Sequence, residues 1–502
     1  MSLLKNGSVG PRTSALWAIV GFLIPLLFAA RNLSTWPARL AYGGEESYEG
    51  VPLAEMVRLG HGEPIYSAGA AYSFSDGTYG PVYYLTGAHV LNLQNPSYFP
   101  LRLLSAFGML GCAAGCGLLA FWLSRSYVAL FLAPPVFLSY GMVTDHGLQA
   151  LSDGIALLLF FSGLLIAYRF REKRLVLLAV PLMVLGFFYK PQYVAGPVAV
   201  VLFLLSERRW RRAAEFVGLS ALGGVCLFGY FQWVAFQGQA FWRHFLLYQA
   251  SLFVLRRFGM ALFIYALLFL IPLVFVIEFL RVSRDRMIAC YVCAALVLGL
   301  VTYSKSASGV HYFFETALIV SALIPALIAR ELAHGRPFDL LLVLALMLFA
   351  GQWSTTPPPR PSDCVQHQAI QDYLRHNFAP ADEALGPAPG DLAQAGLCTP
   401  YSGLFTLTRL VERARLSDRD LTTAIRAHRF AVIALYFDVW RERDPQYARI
   451  YVTAPMLQAI QEEYALAASL DLPLLERLRP ESRLYIYVPR SAIDSLPAGT
   501  AR

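Results

Sequence analysis

The sequence predicts an all-α polytopic membrane domain of about eleven transmembrane helices, followed by a C-terminal extracytoplasmic α/β domain. Three observations predict it. Of 502 residues, 57% are apolar and only 15% charged, with a mean hydropathy of +0.51; soluble proteins average roughly 45–50% apolar and about 25% charged. The apolar residues fall in blocks close to the roughly 20 residues that cross a bilayer. Residues 354–502, in contrast, have ordinary soluble composition. A soluble multidomain enzyme and a disordered scaffold are thereby excluded. The net charge of +8 sits mostly in short loops between apolar blocks, so it is a topology signal and implies the lipid bilayer, with no nucleic acid, as partner.

The expected spans are 14–31, 101–123, 127–143, 150–168, 175–189, 192–206, 213–235, 259–280, 287–303, 312–329 and 337–353. The first follows Lys5 and Arg12 without a convincing cleavage site in Leu26-Leu27-Phe28-Ala29-Ala30, so it reads as a retained signal-anchor. One set of alternate loops holds sixteen Lys and Arg: Lys5, Arg12, Arg125, Arg169, Arg171, Lys173, Arg174, Arg208, Arg209, Arg211, Arg212, Arg281, Arg284, Arg286, Arg330 and Arg336. The short loops of the other set hold five: Lys190, Arg243, Arg256, Arg257 and Lys305. Positive charge favours the cytoplasm, which predicts a multi-pass protein of a bacterial inner membrane with its N-terminus inside. An odd number of spans puts the C-terminus outside.

Two long segments then face outward. In 32–100, Pro52–Leu59 has one apolar face at helical period, the pattern of a helix lying in the membrane interface. The segment 354–502 opens on the breaker Thr355-Thr356-Pro357-Pro358-Pro359. Phe430–Phe437 and Leu484–Val488 read as strands, with helices around 366–376, 420–428 and 455–468. Cys364 and Cys398 share this segment in a compartment that permits a disulfide between them. The domain boundaries are therefore 1–353 and 354–502.

Charge in a membrane block is costly, so its position is informative. Nearly every candidate lies at the outer end of a span: Glu45, Glu46 and Glu49 after the first, Asp145 and His146 between the third and fourth, and Asp153 one turn into the fourth. Lys190 follows in Phe188-Tyr189-Lys190-Pro191-Gln192, then Arg256 and Arg257, and lastly His311 and Glu315 beside Lys305. That distribution describes one wet, charged chamber at the outer face, roofed by the first loop and the C-terminal domain. A carboxylate within hydrogen-bond reach can take the proton of an acceptor hydroxyl. Cations can hold a phosphate and stabilise the charge it acquires on leaving. Those two parts suffice to move a sugar off a lipid phosphate. A donor used outside the cytoplasm is expected to be polyprenyl-linked, with its phosphate near Lys190.

Several motifs occur in a telling order. After Glu45-Glu46 and an amphipathic stretch come Gly62-Glu63-Pro64-Ile65-Tyr66, then Tyr79-Gly80-Pro81-Val82-Tyr83-Tyr84, then Leu101-Arg102-Leu103-Leu104-Ser105. Tyr189-Lys190-Pro191-Gln192 follows mid-chain, and His311-Tyr312-Phe313-Phe314-Glu315 late. Over roughly residues 10–350 this arrangement resembles the GT-C class of polytopic glycosyltransferases, particularly the bacterial branch near aminoarabinose transferases and protein mannosyltransferases. The resemblance implies a first-loop acid, Glu45 or Glu46, as catalytic base and Lys190 as donor-phosphate ligand; Arg102, Arg256 and Arg257 are expected, from their charge and position, as further phosphate partners. Glu49, Tyr66, Tyr83, Asp145, His146, His311 and Glu315 would line the chamber. Relatives commonly carry Asp where this chain has Glu45-Glu46, and a longer side chain requires a different cleft. Members differ in metal use, so no cofactor is specified and a divalent cation stays open.

The expected activity is transfer of a sugar from a polyprenyl-phosphate donor to an extracytoplasmic lipid, glycan or protein. A transporter or lipid-linked sugar flippase also fits the composition, although transporters usually show repeated halves and midplane sites, and no repeat is visible here. A surface-glycan polymerase or ligase is a second alternative. Asp418-Arg419-Asp420 matches the Asp-x-Asp of nucleotide-sugar enzymes, yet its place before Leu421–Ile425 reads as a helix cap.

Overall fold

The structure is a computed structural model describing residues 11–45, 48–66, 73–77, 79–237, 239–248, 253–305, 308–333, 357–441, 448–472 and 483–495. Ten of the eleven expected blocks fold as helices; the eleventh, 337–353, lies outside the described residues. They are α1 (Pro11–Ala41), α4 (Phe99–Ser124), α5 (Tyr127–Leu138) with the short α6 (Gly141–Asp145), α7 (Asp153–Arg169), and α8 (Ala179–Tyr189). α9 (Ala195–Ser206), α10 (Trp210–Tyr230), α11 (Leu255–Ser283), α12 (Arg286–Tyr303) and α13 (Phe314–Ala333) complete the set. Among the described residues, five helices are long and apolar enough to cross a membrane: Phe99–Ser124, Trp210–Ala235, Leu255–Ser283, Arg286–Tyr303 and Val310–Ala333. Eleven spans are thus not established. The chain is nonetheless an integral membrane protein: α10 and α11 turn Leu222, Val225, Leu270 and Ile277 outward, a surface suited to lipid and not to water. α13 is apolar all round and buried along Phe314–Ala329, as a helix in the middle of a bundle must be.

Local chemistry fixes the helix ends. The Ser126 hydroxyl accepts the Val128 N–H and the Asp285 carboxylate accepts the Ile288 N–H, two side-chain N-caps. α4 and α7 cross where Gly108 meets Gly154: a Cβ on Gly108 would lie 2.2 Å from the Gly154 carbonyl carbon, so only small residues permit this approach. α1 runs ten residues past the span expected to end at 31. Its outer turns are held by the Asn32 amide donating to Leu138 O and Ser139 O at 2.9 Å, and by Arg39 paired with Asp145 at 2.9 Å.

The loops expected to be cytoplasmic converge at one end. Asp285, before α12, accepts from Tyr168 in the last turn of α7 and from Arg171 just after it; Arg209 donates to Arg171 O at 2.9 Å; Arg286 pairs with Glu207 at 3.0 Å. At the opposite end lie α2 (Gly50–Gly60) and α3 (Pro81–Val90) of the first loop. α2 is not the lipid-facing interfacial helix the sequence suggested. Its Pro52, Leu53, Ala54, Glu55, Met56 and Arg58 are buried, because it is clamped between α3 and the C-terminal domain.

That domain is a mixed sheet flanked by helices. The strands β1 (Glu383–Leu385), β2 (Cys398–Tyr401), β3 (Val432–Leu435), β4 (Tyr464–Asp471) and β5 (Arg483–Pro489) lie in the order β2-β1-β3-β5-β4. β1 is parallel to β2 and β3; β5 is antiparallel to β3 and β4. The helices are α14 (Pro361–Asn377), α15 (Pro389–Gln394), α16 (Leu404–Glu412), α17 (Arg419–Arg426) and α18 (Ala454–Glu463). The helix expected over 455–468 stops at Glu463, and 464–471 is strand. The first loop adds to the β2 edge: the Phe74 N–H donates to Pro400 O at 2.9 Å and its carbonyl accepts the Ser402 N–H at 3.0 Å. An edge strand is thereby covered.

Candidate functional site

The segment 145–153 between α6 and α7 is the hub where the outer elements meet. The Ala150 peptide is gripped on both sides: its N–H donates to Glu49, and its carbonyl accepts the Tyr83 hydroxyl at 2.6 Å. Three residues on, Asp153 opens α7 and both its oxygens accept from the Lys190 ammonium, at 2.7 and 2.8 Å. Asp153 and Lys190 are only 1% and 7% exposed. The Tyr193 hydroxyl also donates to Asp153. Lys190 is the residue that ends α8 in extended conformation, which turns its side chain from the bundle toward Asp153. Its ammonium lies 5.3 Å from the centre of the Tyr79 ring, a cation–π distance. Tyr79 in turn meets Tyr83 edge-on at 5.5 Å.

The first loop reaches Lys190 by backbone as well. The Gly80 N–H donates to Tyr189 O at 3.1 Å, and a Cβ on Gly80 would lie 1.9 Å from the Phe188 carbonyl oxygen. Glycine is required there by this close approach. On the far side, the His146 and His311 rings stand 5.5 Å apart, and the Tyr193 hydroxyl that serves Asp153 also lies 3.5 Å from His311 O. Lys190, Asp153, Tyr193, His146, His311, Tyr79 and Tyr83 therefore form one contiguous polar and aromatic cluster.

The other expected site residues divide. Glu315 accepts the N–H groups of Ala195 and Gly196 and so caps the N-terminus of α9. Asp145 is committed to Arg39. Glu49 is fully buried and paired with Arg102. Arg102 was expected to hold a phosphate, but its N–H groups are already spent: Nε and Nη2 on Glu49, Nη1 on Arg39 O and Tyr42 O, Nη2 also on Gly44 O at 2.8 Å. It shapes the turn after α1. Tyr66, expected in the chamber, is packed instead among Phe236, Phe241 and His244 at 4.7–5.5 Å. Arg257 donates to Lys305 O, Ser308 O and Ser308 Oγ, holding these two residues together, while Arg256 is exposed.

Glu45 is buried beside Gly50 and Gly390, against the N-terminus of α15. Glu46 lies outside the described residues. Cys364 and Cys398 are both unpaired: α14 buries Asp363, His367, Ile370, Gln371 and Leu374, which turns Cys364 outward and away from β2. Asp418 occupies the N-cap position of α17, yet its carboxylate accepts from the Thr453 hydroxyl at 2.5 Å and not from a helix N–H. Among the described residues, no group of three or more His, Cys, Asp and Glu is arranged to hold a metal ion.

Two acids escaped the sequence. Glu55 is fully buried on α2 and its Oε1 accepts from the N–H groups of Asp76 and Gly77, at 2.6 and 3.2 Å, and from Ser402 Oγ at 3.0 Å. Burial raises its pKa. Asp76 meets the Thr406 hydroxyl of α16, and burial, with Glu55 beside it, pushes its pKa up to about 7. The signal was present for Glu55, a carboxylate on the otherwise apolar face of Pro52–Leu59.

Comparison with known proteins gives a fold and no close sequence relative. No family model and no curated protein matches the chain. ArnT from Cupriavidus metallidurans in the apo state superposes with a TM-score of 0.57 at 11% identity, covering 93% of this chain and 98% of that one. The same protein bound to undecaprenyl phosphate gives 0.57 at 12% identity, covering 95% and 98%. The oligosaccharyltransferase AglB from Archaeoglobus fulgidus matches more loosely, with a TM-score of 0.48 at 11% identity over 96% of this chain and 77% of that one. From the extended first helix to the C-terminal sheet, this chain has the GT-C fold seen in ArnT.

Proposed function

We propose that this protein is an integral membrane glycosyltransferase that moves a sugar from a polyprenyl-phosphate donor to an acceptor outside the cytoplasm. The observation that carries it is the buried Lys190 ammonium, set among Tyr79, Asp153, Tyr193 and the two histidines at the end of the bundle covered by the first loop. Fold alone does not fix function. The supporting likeness is to a protein whose structure holds undecaprenyl phosphate. A compact, desolvated cation beside a phosphate is the partner that a leaving phosphate requires.

In this account the donor enters between helices with its phosphate at Lys190. The acceptor oxygen attacks the anomeric carbon, the carbon–oxygen bond to phosphate breaks, and the electron pair leaves with the polyprenyl phosphate. A first-loop carboxylate, Glu45 or Glu46, takes the acceptor proton. Asp153 holds the ammonium in place when no phosphate is bound. The phosphate then shares or displaces one of its two contacts, so the site exchanges one anion for another and never exposes a bare buried charge. Arg257 supports the rim through Lys305 and Ser308, and exposed Arg256 meets the phosphate on entry. The charged loops gathered at the opposite end would face the cytoplasm, and the Lys190 site and the C-terminal domain would then lie beyond a bacterial inner membrane.

Mass spectrometry of envelope lipids and glycans, from cells with and without the gene, tests the proposal. A species lacking one residue of a defined sugar mass in the deletion, restored by the gene and not by a Glu45→Gln/Glu46→Gln variant, supports it. Identical profiles, with substrate counterflow by the purified protein, would point to transport instead.

A further inference from the structure

The C-terminal domain touches the bundle through a polar relay that ends at Lys190. Its first member is the Ser402 hydroxyl, just after β2, which donates to Glu55 Oε1 at 3.0 Å. The same oxygen accepts the N–H groups of Asp76 and Gly77, so one carboxylate fixes both the C-terminal domain and the loop that leads into Tyr79. Tyr84 presents its hydroxyl to this carboxylate, and the Tyr84 hydroxyl oxygen accepts the backbone N–H of Tyr79 at 3.5 Å. Tyr79 carries the ring over the Lys190 ammonium. Every step is a contact of a buried or half-buried group, where an unmet polar partner is costly. The relay runs from Ser402 to the Lys190 ammonium. It is anchored on each side: Phe74 pairs with β2, and Arg58, one turn from Glu55, donates to Pro400 O at 3.3 Å and to Ser75 Oγ at 2.9 Å.

We propose that Glu55 is a positioning residue which couples docking of the C-terminal domain to the aromatic wall over Lys190, so that this domain sets the affinity of the phosphate site. The proposal rests on Lys190 being a phosphate ligand. It gives the C-terminal domain a task that its own surface does not reveal. Loss of the Ser402 contact frees Glu55 toward Tyr84 and the 76–77 amides, the loop shifts, and the Tyr79 ring leaves the ammonium. Coupling between sites of this kind is commonly worth about 5-fold or more in affinity.

The test is a double-mutant cycle on binding of undecaprenyl phosphate to the purified full-length protein in nanodiscs, with hydrogen exchange measured on the same samples. Ser402→Ala and Tyr84→Phe each remove one hydroxyl at either end of Glu55. Each single variant is expected to weaken binding by roughly 5-fold, and the pair no more than the worse single, because both cut one chain. Glu55→Gln keeps the shape and gives the same loss. Glu63→Gln, on the half-exposed partner of Arg58, gives none. Exchange in Ser402→Ala rises over 76–84 and 188–193 and not over 169–174, a local effect that general destabilisation would not produce. Wild-type affinity in Ser402→Ala and Glu55→Gln, or fully additive losses with unchanged exchange at 188–193, overturns the coupling. Absence of any binding by wild type, with the exchange pattern as expected, overturns instead the role of Lys190.

Discussion

Asp153 and Lys190 stand 37 residues apart in sequence and meet in a bidentate ion pair, both carboxylate oxygens within 2.8 Å of one ammonium. Burial makes the pair asymmetric in its consequences. Removing one partner strands a charge in a site with little water and costs about 3–5 kcal/mol, whereas replacing both with neutral groups costs far less.

Lys190→Ala is therefore expected to abolish transfer and also to destabilise the protein, because Asp153 is left uncompensated. An Asp153→Asn/Lys190→Met double variant should recover most of the stability and none of the activity. Thermal unfolding in detergent beside a transfer assay separates the two effects. Equal losses of stability in the single and double variants would mean that the pair is not coupled.

Arg102 gives a sharper contrast. Its planar fork serves Glu49 and three carbonyls at once, and an ammonium cannot reproduce that geometry. Arg102→Lys is expected to cost about 3 kcal/mol or more, with protease sensitivity rising over residues 42–50. Phosphate affinity of the remaining folded protein should be unchanged, the outcome that distinguishes a shaping residue from a ligand.

Asp76 predicts a pH dependence. Its carboxyl is held at about 7 in the folded protein, above its ordinary 3.8, so the folded state binds the extra proton between those values. Stability from this group is complete below about pH 4 and is lost as pH rises through 7. Asp76→Asn removes the titration. The variant should melt a few degrees above wild type at pH 8 and close to it at pH 4, as followed by differential scanning fluorimetry. Parallel curves for the two proteins would contradict this.

The first-loop acids carry the remaining prediction. Glu45→Gln/Glu46→Gln should lower transfer by at least 100-fold, the scale of general-base catalysis, while undecaprenyl phosphate still binds. Turnover close to wild type in that variant would move the base elsewhere, with Asp153 the nearest carboxylate to Lys190.

Much of the helical layout was legible because apolar block length is a direct demand of the bilayer. The end of α1 was not. Asn32, Trp36 and Arg39 read as loop, and only their contacts with 138–145 keep them helical. Lys190 stood out by interrupting an apolar run, and its partner Asp153 was visible as a charge one turn into a span without any sign that the two meet. Arg102 looked like a ligand because a sequence shows charges and not the backbone carbonyls that consume them. β1 and β2 are too short for periodicity to register. The Ala-rich run at 464–471 carries helical propensity that pairing with β5 overrides.

Photo-crosslinking with a polyprenyl-phosphate analogue that carries its reactive group next to the phosphate tests whether Lys190 holds the donor. Peptide mapping of the labelled protein is expected to place the adducts in 79–84 and 188–193, with labelling suppressed by undecaprenyl phosphate and lost in the Asp153→Asn/Lys190→Met variant. Adducts confined to 169–174 and 207–212, at the other end of the bundle, would contradict it.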